Sequence, residues 1–372
     1  MRLILPELFR GTCGVNQHLF RLGGRTGCYV ERPGLNIENG NELVVYLKSK
    51  GHIGPEENPT LRGLPGGVSS RTILVERSNR RDFVVKQARE RLQVACDWFS
   101  DPLRIHQEAE GLRWLFKLAP EGAITPLLFE DRDHHIIGMA AVAWPHENWK
   151  SVLLQGRIDE QHVLQFARLL GQIHHTSRQK QSELAATFAD RSFFESLHLE
   201  PYYAYSATQE LAAADFLNSL VSETSMRRYC LAHGDYSPKN VLIYKDKLIL
   251  VDHEVIHFGD PAFDLGFSLA HLLSKANHLQ SYRVALASGA HLYWQTYVQS
   301  CGDIKRTNAF EEFVNRHTLA CLLARVVGRS PLEYLGLADR ARQRQAVLRM
   351  INSLPRTVPE LIVQFIKEVS SK

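Results

Sequence analysis

With 372 residues, 44% of them hydrophobic and 23% charged, the chain has enough apolar material for a sizeable core in one large domain or two lobes. That balance excludes intrinsic disorder, and no apolar run is long enough to span a bilayer. The formal net charge of +4 is spread among interleaved acidic residues, so neither nucleic acid nor a membrane is expected as a partner.

Residues 1–40 carry several glycines and little pattern, and read as an irregular extension. Pro6 and Glu7 interrupt the only apolar start, so no secretion signal is expected. Asn41 to Ser49 reads as a short helix, with Asn41 as its cap, Leu43, Val44 and Leu47 on one face and Gly51 as the stop. A glycine-bearing turn follows at Leu61 to Arg71, then a strand at Thr72 to Glu76, a turn at Ser78-Asn79-Arg80 and a strand at Phe83 to Lys86. Glycines between two strands let backbone amides approach phosphate oxygens, which makes Gly66, Gly67, Val68 and Ser69 candidates for holding a nucleotide's phosphates. The returning strand brings Lys86 beside that turn, where an ammonium can pair with the same phosphates.

Arg104 opens a helix with Leu112, Leu115 and Phe116 on one face. The strand Ile136 to Val142 leads into Trp144-Pro145-His146, a hinge whose backbone can hydrogen-bond a base. Asp159 then caps an amphipathic helix carrying Val163, Phe166, Ala167, Leu170 and Ile173. From Ser182 to Glu223 the chain is acidic, with Glu183, Asp190, Glu195, Glu200, Glu210, Asp215 and Glu223 against Arg191, and it holds Tyr202, Tyr203 and Tyr205. Carboxylates with aromatic faces favour a cation; a solvated acidic surface is the alternative.

The densest chemistry lies in His233-Gly234-Asp235-Tyr236-Ser237-Pro238-Lys239-Asn240 and the hairpin after it. Residues 241–244 and 248–251 are β-rich, and Lys245-Asp246-Lys247 turns between them. Folding symmetrically about Asp246 would set Asn240 opposite Asp252, bringing an amide oxygen and a carboxylate together. Such hard donors suit Mg²⁺, and Asp235 stands upstream as acceptor of a hydroxyl proton. A competing reading is His253-Glu254-Val255-Ile256-His257, the H-E-x-x-H pattern of zinc hydrolases. It needs a helix where β-branched residues and Gly259-Asp260-Pro261 leave little room, and no third ligand follows at the expected spacing. After Leu265 the chain reads as mainly helical, most clearly at Ser268 to Leu273, Val284 to Val298 and Leu361 to Val369. The cysteines (Cys13, Cys28, Cys96, Cys230, Cys301, Cys321) are scattered, as expected of reduced thiols in a cytoplasmic protein.

Protein kinases use H-R-D-x-x-x-x-N with a later metal-binding Asp. Here Gly234 replaces the Arg, and Asp252-His253-Glu254 stands in place of Asp-Phe-Gly. With Phe258-Gly259-Asp260-Pro261-Ala262-Phe263-Asp264-Leu265-Gly266, the string resembles the aminoglycoside phosphotransferase and choline kinase superfamily, from Leu61 onwards and most strongly from Leu231 to Gly266. The resemblance implies an α+β, bilobal protein-kinase-like fold, with a small β-rich N-lobe and a large, mainly helical C-lobe. It divides the chain into an extension with one short helix at 1–60, an N-lobe at 61–143 and a C-lobe at 144–372.

It also implies an ATP-dependent, Mg²⁺-requiring transfer of phosphoryl to a small-molecule hydroxyl, with Asp235 catalytic. Asn240 and Asp252 would hold the metal, joined by Glu254. Glu108 fits the family's glutamate that pairs with Lys86, with Glu110 the alternative, and Asp264 would hold the catalytic loop from beneath. The segment 182–223 falls where family members build acceptor pockets, so the resemblance and its acidity together point to an amine-bearing acceptor. His174, in Leu170-Gly171-Gln172-Ile173-His174, reads as structural. Ser237 occupies a position where many protein kinases carry Lys, and Lys239 lies two residues further on. A catalytically silent nucleotide-binding regulator, a protein kinase and the zinc hydrolase are the other readings.

Overall fold

The structure is a computed structural model that describes residues 35–65, 69–93, 98–306 and 309–371. Gly66, Gly67 and Val68 of the glycine turn, the extension up to residue 34, and Cys13, Cys28 and Cys96 lie outside the described residues.

The small lobe is a five-stranded antiparallel sheet in the order β1-β2-β3-β5-β4, from β1 (Thr60–Gly63), β2 (Ser70–Glu76), β3 (Phe83–Ala88), β4 (Leu127–Asp131) and β5 (Ile136–Ala140). Alternation along the strands gives the sheet two apolar faces. Ile73, Val75, Val85 and Ile136 pack with Leu43, Tyr46 and Leu47 of the helix Gly40–Ser49. Ile137 and Met139 belong to a second cluster with Ala109, Leu112 and Leu115 of the helix Arg104–Leu118. The first helix starts one residue before the expected Asn41. Asn39 is its cap, accepting from Glu42 N–H at 3.5 Å and donating to Glu42 Oε1 at 2.6 Å. Phe116, expected on the buried face of the second helix, is 57% exposed; the buried stripe runs Ile105, Ala109, Leu112, Leu115, Leu118 and passes it by.

The large lobe is mainly helical. Helices Glu160–Gln179, Pro261–His278, Arg283–Ser300, Phe310–Val327, Leu337–Ile351 and Val358–Ser370 pack around one continuous core, and the three late helices expected from sequence all lie within them. Residues Glu195–Ala204 form a wider π-type helix around Pro201, which lacks the N–H that a regular α-helical ladder needs. Two small sheets carry the polar loops: β7 (Cys230–Ala232) pairs with β10 (His257–Gly259), and β6 (Glu147–Asn148) lies beside the hairpin of β8 (Val241–Tyr244) and β9 (Lys247–Leu250). Together these layers make a bilobal α+β protein-kinase-like fold. Among the described residues no helix is long and apolar enough to cross a membrane, and Cys230, Cys301 and Cys321 are free thiols.

Candidate active site

The loop that opens at His233 is fixed by one buried carboxylate. Asp264, at the start of the helix Pro261–His278, accepts the backbone N–H of His233 at 2.7 Å and of Gly234 at 2.8 Å. The ring of His174 lies 3.1 Å from Asp264 Oδ2 and is braced on its other side by the Tyr297 hydroxyl at 2.9 Å. His174, inside the helix Glu160–Gln179, is thus a buried polar brace. Gly234 sits at φ 79, and a Cβ there would lie 2.8 Å from the Val255 carbonyl oxygen. Both the left-handed backbone and this close approach explain why glycine stands where protein kinases carry arginine.

Held this way, the loop presents Asp235 with its side chain 16% exposed. Asn240 donates from Nδ2 to Asp235 Oδ2 at 2.8 Å and to its backbone oxygen at 3.0 Å, while His198 Nε2 lies 3.7 Å from Oδ1. Burial works to raise the Asp235 carboxyl, but His198 and Lys239 outweigh it, and the group stays below its ordinary value. Lys239 is itself held above its ordinary value: burial opposes this, but Asp235 and Asp252 prevail.

The hairpin departs from the symmetric register. Val241 pairs with Leu250 and Tyr244 with Lys247, so Asn240 lies opposite Val251, whose N–H donates to Asn240 O at 3.0 Å, and not opposite Asp252. The cause is the turn. Lys245 and Asp246 alone form it, both at positive φ (48° and 58°), as a two-residue hairpin loop of right-handed twist requires. Asp252 follows at φ 68, and this left-handed residue sends its carboxylate across to the small lobe, where Oδ1 meets Lys86 Nζ at 2.5 Å.

Lys86, on β3, also bonds Glu108 Oε2 at 2.6 Å. Burial alone would depress the ammonium, yet Asp252 and Glu108 keep it well above its usual value. Burial pushes Glu108 up to about 7 against the pull of Lys86. Glu110 turns away to Arg113 at 3.0 Å. The helix bearing Glu108 presses on the segment after Asp252: a Cβ on Gly111 would meet Ile256 Cγ2 at 2.9 Å, and Gln107 Nε2 donates to Ile256 O at 2.7 Å.

Ser69, at the edge of the glycine turn, is buried and tied by its carbonyl, which accepts from the Arg104 guanidinium and from Arg89 N–H at 2.9 Å. Arg104 is fully buried and also reaches Glu254 at 3.2 Å, so it joins the flank of the turn to the Asp252-His253-Glu254 segment. One Glu254 oxygen is therefore already engaged.

His253 and His257 share no helical face. Residues 252–256 are loop with a turn at 254–255, and His257 opens β10. His233 Nδ1 accepts from Asp235 N–H at 3.2 Å, which leaves its Nε2 to donate to His253 Nδ1 at 3.0 Å, while His257 Nδ1 donates to Val255 O at 2.9 Å and its ring stacks on Phe194. Burial depresses all three imidazoles. This geometry removes the zinc hydrolase reading. Hard oxygens fit Mg²⁺ better: both bonds of the Asn240 amide use Nδ2, leaving Oδ1, and Lys86 takes only one oxygen of Asp252.

Three carboxylates of the acidic segment are paired from elsewhere. Glu200 pairs with Arg329 at 2.9 Å, Glu223 with both arms of Arg316 at 2.7 Å, and Glu210 with Arg344. Tyr203 bonds His317 at 2.8 Å, and Tyr202 lies under the Arg325 guanidinium at 4.5 Å. Sequence reasoning missed Arg104, His198 and Arg325. The last carries a usable signal, as the lone charge in the apolar run Thr318 to Val327.

A fold of this kind, with its polar loops on the hairpin and on β3, defines a kinase-like phosphotransferase. The model of the phosphotransferase enzyme family matches residues 60–297, more than half of the 372, and the chain belongs to that family, within the aminoglycoside phosphotransferase and choline kinase-like superfamily. Among solved structures it is similar to a choline kinase from Cryptosporidium parvum Iowa II (TM-score 0.53, 11% identity, 89% of this chain and 100% of that one). It is also similar to the amicoumacin kinase hAmiN in complex with AMP-PNP, Ca²⁺ and Ami (0.52, 13%, 86% and 96%). A third is the macrolide 2′-phosphotransferase MphH from Brachybacterium faecium (0.50, 16%, 84% and 99%). At these identities the likeness concerns the fold. A comparison with curated proteins finds no significant match. Phosphoryl transfer to small molecules is the general activity of the superfamily, whose members bind ATP and Mg²⁺.

Proposed function

We propose that the protein transfers the γ-phosphoryl group of ATP to a hydroxyl of a small molecule, with Asp235 as the catalytic carboxylate. The observation that carries this reading is the meeting of two groups at one cleft: Asp235 with Asn240 on a loop pinned by Asp264, and Lys86 with Glu108 and Asp252. Asp235 is kept ionised, so it can orient an incoming hydroxyl and take its proton. Lys86, held charged, pairs with nucleotide phosphates, and the turn at Gly66, Gly67, Val68 and Ser69 supplies amides to them. Asn240 and Asp252 would hold Mg²⁺, with Glu254 adding negative charge from its seat on Arg104. Bound there, the ion supplies positive charge beside the phosphates.

The amine-bearing acceptor loses part of its support, since Glu200, Glu210 and Glu223 are engaged by arginines. The proposal at this level is a hydroxyl, without a charge assigned to the rest of the molecule. Asp235→Asn should lower acceptor-dependent ADP release by about a hundredfold or more while ATP still binds, the scale of a lost positioned base. Turnover equal to the parent enzyme would remove Asp235 from the mechanism.

A further inference from the structure

We propose that the acceptor carries an anionic group, a carboxylate or a phosphate, seated against Arg325 and Lys239 on the large-lobe side of Asp235; this rests on the phosphotransferase reading above. A short chain of contacts leads there from the catalytic carboxylate. His198 lies 3.7 Å from Asp235, its ring is 5.1 Å from that of Tyr202, and Arg325 stands over Tyr202 at 4.5 Å and over Phe267 at 5.0 Å. The π-type helix Glu195–Ala204 brings His198 and Tyr202 into this line, a kind of irregularity often found at functional sites.

Arg325 is 7% exposed, and its hydrogen-bond partners are all neutral: Ser330 O at 2.9 Å, Ser330 Oγ at 3.3 Å and His271 Nε2 at 3.1 Å. Its Nε is buried with no partner. His271 must accept through Nε2 here, so it contributes no charge, and its burial keeps it neutral. A guanidinium cannot shed its proton to escape burial, so Arg325 is a buried charge that bonds no carboxylate among the described residues. Arg104, more deeply buried still, shows the alternative: it meets Glu254.

The surroundings add to the positive field. Lys275 is fully buried, and among the described residues it bonds the His271 carbonyl at 3.3 Å; Lys239 is held charged by Asp235 and Asp252. Glu333, the carboxylate that acts on Lys275, is itself taken by Lys150. Tyr202 lies within the fields of Arg325, Asp235 and Lys239 alike, and of these the Arg325 guanidinium is the one that stacks on its ring. An anion between Arg325 and Lys239 would fill the open Nε and supply the charge the fold withholds.

The test is ADP release with saturating Mg-ATP across four classes of alcohol: hydroxy acids, sugar phosphates, neutral polyols and amino alcohols. One of the first two should be fastest, and which one distinguishes carboxylate from phosphate. Arg325→Gln should raise the KM for that acceptor tenfold or more and leave the KM for ATP within about twofold, and Arg325→Lys should recover part of the loss. Should Arg325→Gln fail to fold, Lys239→Gln, at an exposed position, is expected to shift the acceptor KM in the same direction. If no alcohol is turned over, melting in the presence of Mg-AMP-PNP decides, because citrate or glycerol 3-phosphate should raise the Tm of the parent protein and not of the variant. A neutral or amino acceptor as the best substrate, an unchanged acceptor KM, a raised KM for ATP, or no anion-dependent Tm shift each overturns the proposal. Failure of the parent protein to bind ATP at all would instead overturn the kinase reading on which it rests.

Discussion

The two walls of the cleft treat buried charge in opposite ways. On the small-lobe wall the ammonium of Lys86 meets two carboxylates, at 2.5 and 2.6 Å, and every member of the cluster has a partner of opposite sign. On the large-lobe wall Arg325 and Lys275 are as deeply placed, yet their partners are carbonyls, a hydroxyl, a neutral imidazole and aromatic rings. A buried ion pair is weak evidence for stability but strong evidence for mutual dependence, because deleting one member strands the other. Unpaired cations are different, for there the cost is already borne by the native protein. The first wall pairs every charge it buries, and the second leaves its cations on neutral partners among the described residues.

The largest effect that would break this contrast is at Lys86. Lys86→Met should destabilise the fold by about 3–5 kcal/mol, since it leaves Glu108 buried without its cation. The loss should also depend on pH in a definite sense. Burial and the neighbouring Asp252 both push Glu108 upward, and only Lys86 opposes them. In the variant the folded state therefore binds a proton that the unfolded chain releases above its ordinary carboxylate range, so stability falls as pH rises through the raised value. Urea titrations at pH 6 and pH 8 should show the greater deficit at pH 8. Equal deficits would mean that water or a rearranged side chain has replaced the lysine.

Asp264→Asn should act more gently on stability and more selectively on rate. The asparagine keeps one acceptor but turns an N–H₂ towards one of the two backbone donors of His233 and Gly234. About 1–3 kcal/mol is expected for the lost charge-assisted bond and the opposed donor. The loop carrying Asp235 would loosen, so kcat should fall about tenfold or more with the KM for ATP little changed. A KM effect alone would show that the carboxylate supports nucleotide binding and not the loop.

Those effects concern residues the sequence made visible, and the reason is local. His233-Gly234-Asp235, Asn240, Asp252 and the Asp260-Pro261-Ala262-Phe263-Asp264 string carry their geometry in short spacings, and Lys86 lies one hairpin from its glycine turn. The hairpin's register was hidden because Lys245 and Asp246 adopt positive φ without a glycine to mark a two-residue loop, so a three-residue turn fits the string as well. The pairing of Glu200, Glu210 and Glu223 was hidden for the opposite reason. Their neutralising arginines lie 93, 129 and 134 residues away in sequence, brought in only by packing of the late helices. Local composition records the carboxylates and has no means of recording their partners. The same distance conceals Arg325, whose contact with Tyr202 is made on a π-type helix that no periodicity announces.

The smallest effect tests the second wall without any ligand. Burial, with Lys150 adding to it, pushes Lys275 down to about 7. In the unfolded chain the same ammonium titrates near its ordinary value of about 10.4. Between these two values the unfolded state binds the proton and the folded state does not, so this residue makes the native protein gain stability as pH rises, by up to about 1.4 kcal/mol per pH unit. Below pH 7 both states are charged and the whole cost of burying the cation is felt. Lys275→Met keeps the volume and removes the charge, so it should be more stable than the parent, most of all at pH 6, with the advantage shrinking steadily towards pH 10. Melting curves at pH 6, 8 and 9.5 measure this directly. A constant offset, or a variant less stable at pH 6, would mean that Lys275 has a counter-charge and that the two walls are alike. The predicted trend would instead show that the fold tolerates a standing electrostatic cost on the acceptor side, as expected where residues are kept for a ligand rather than for stability.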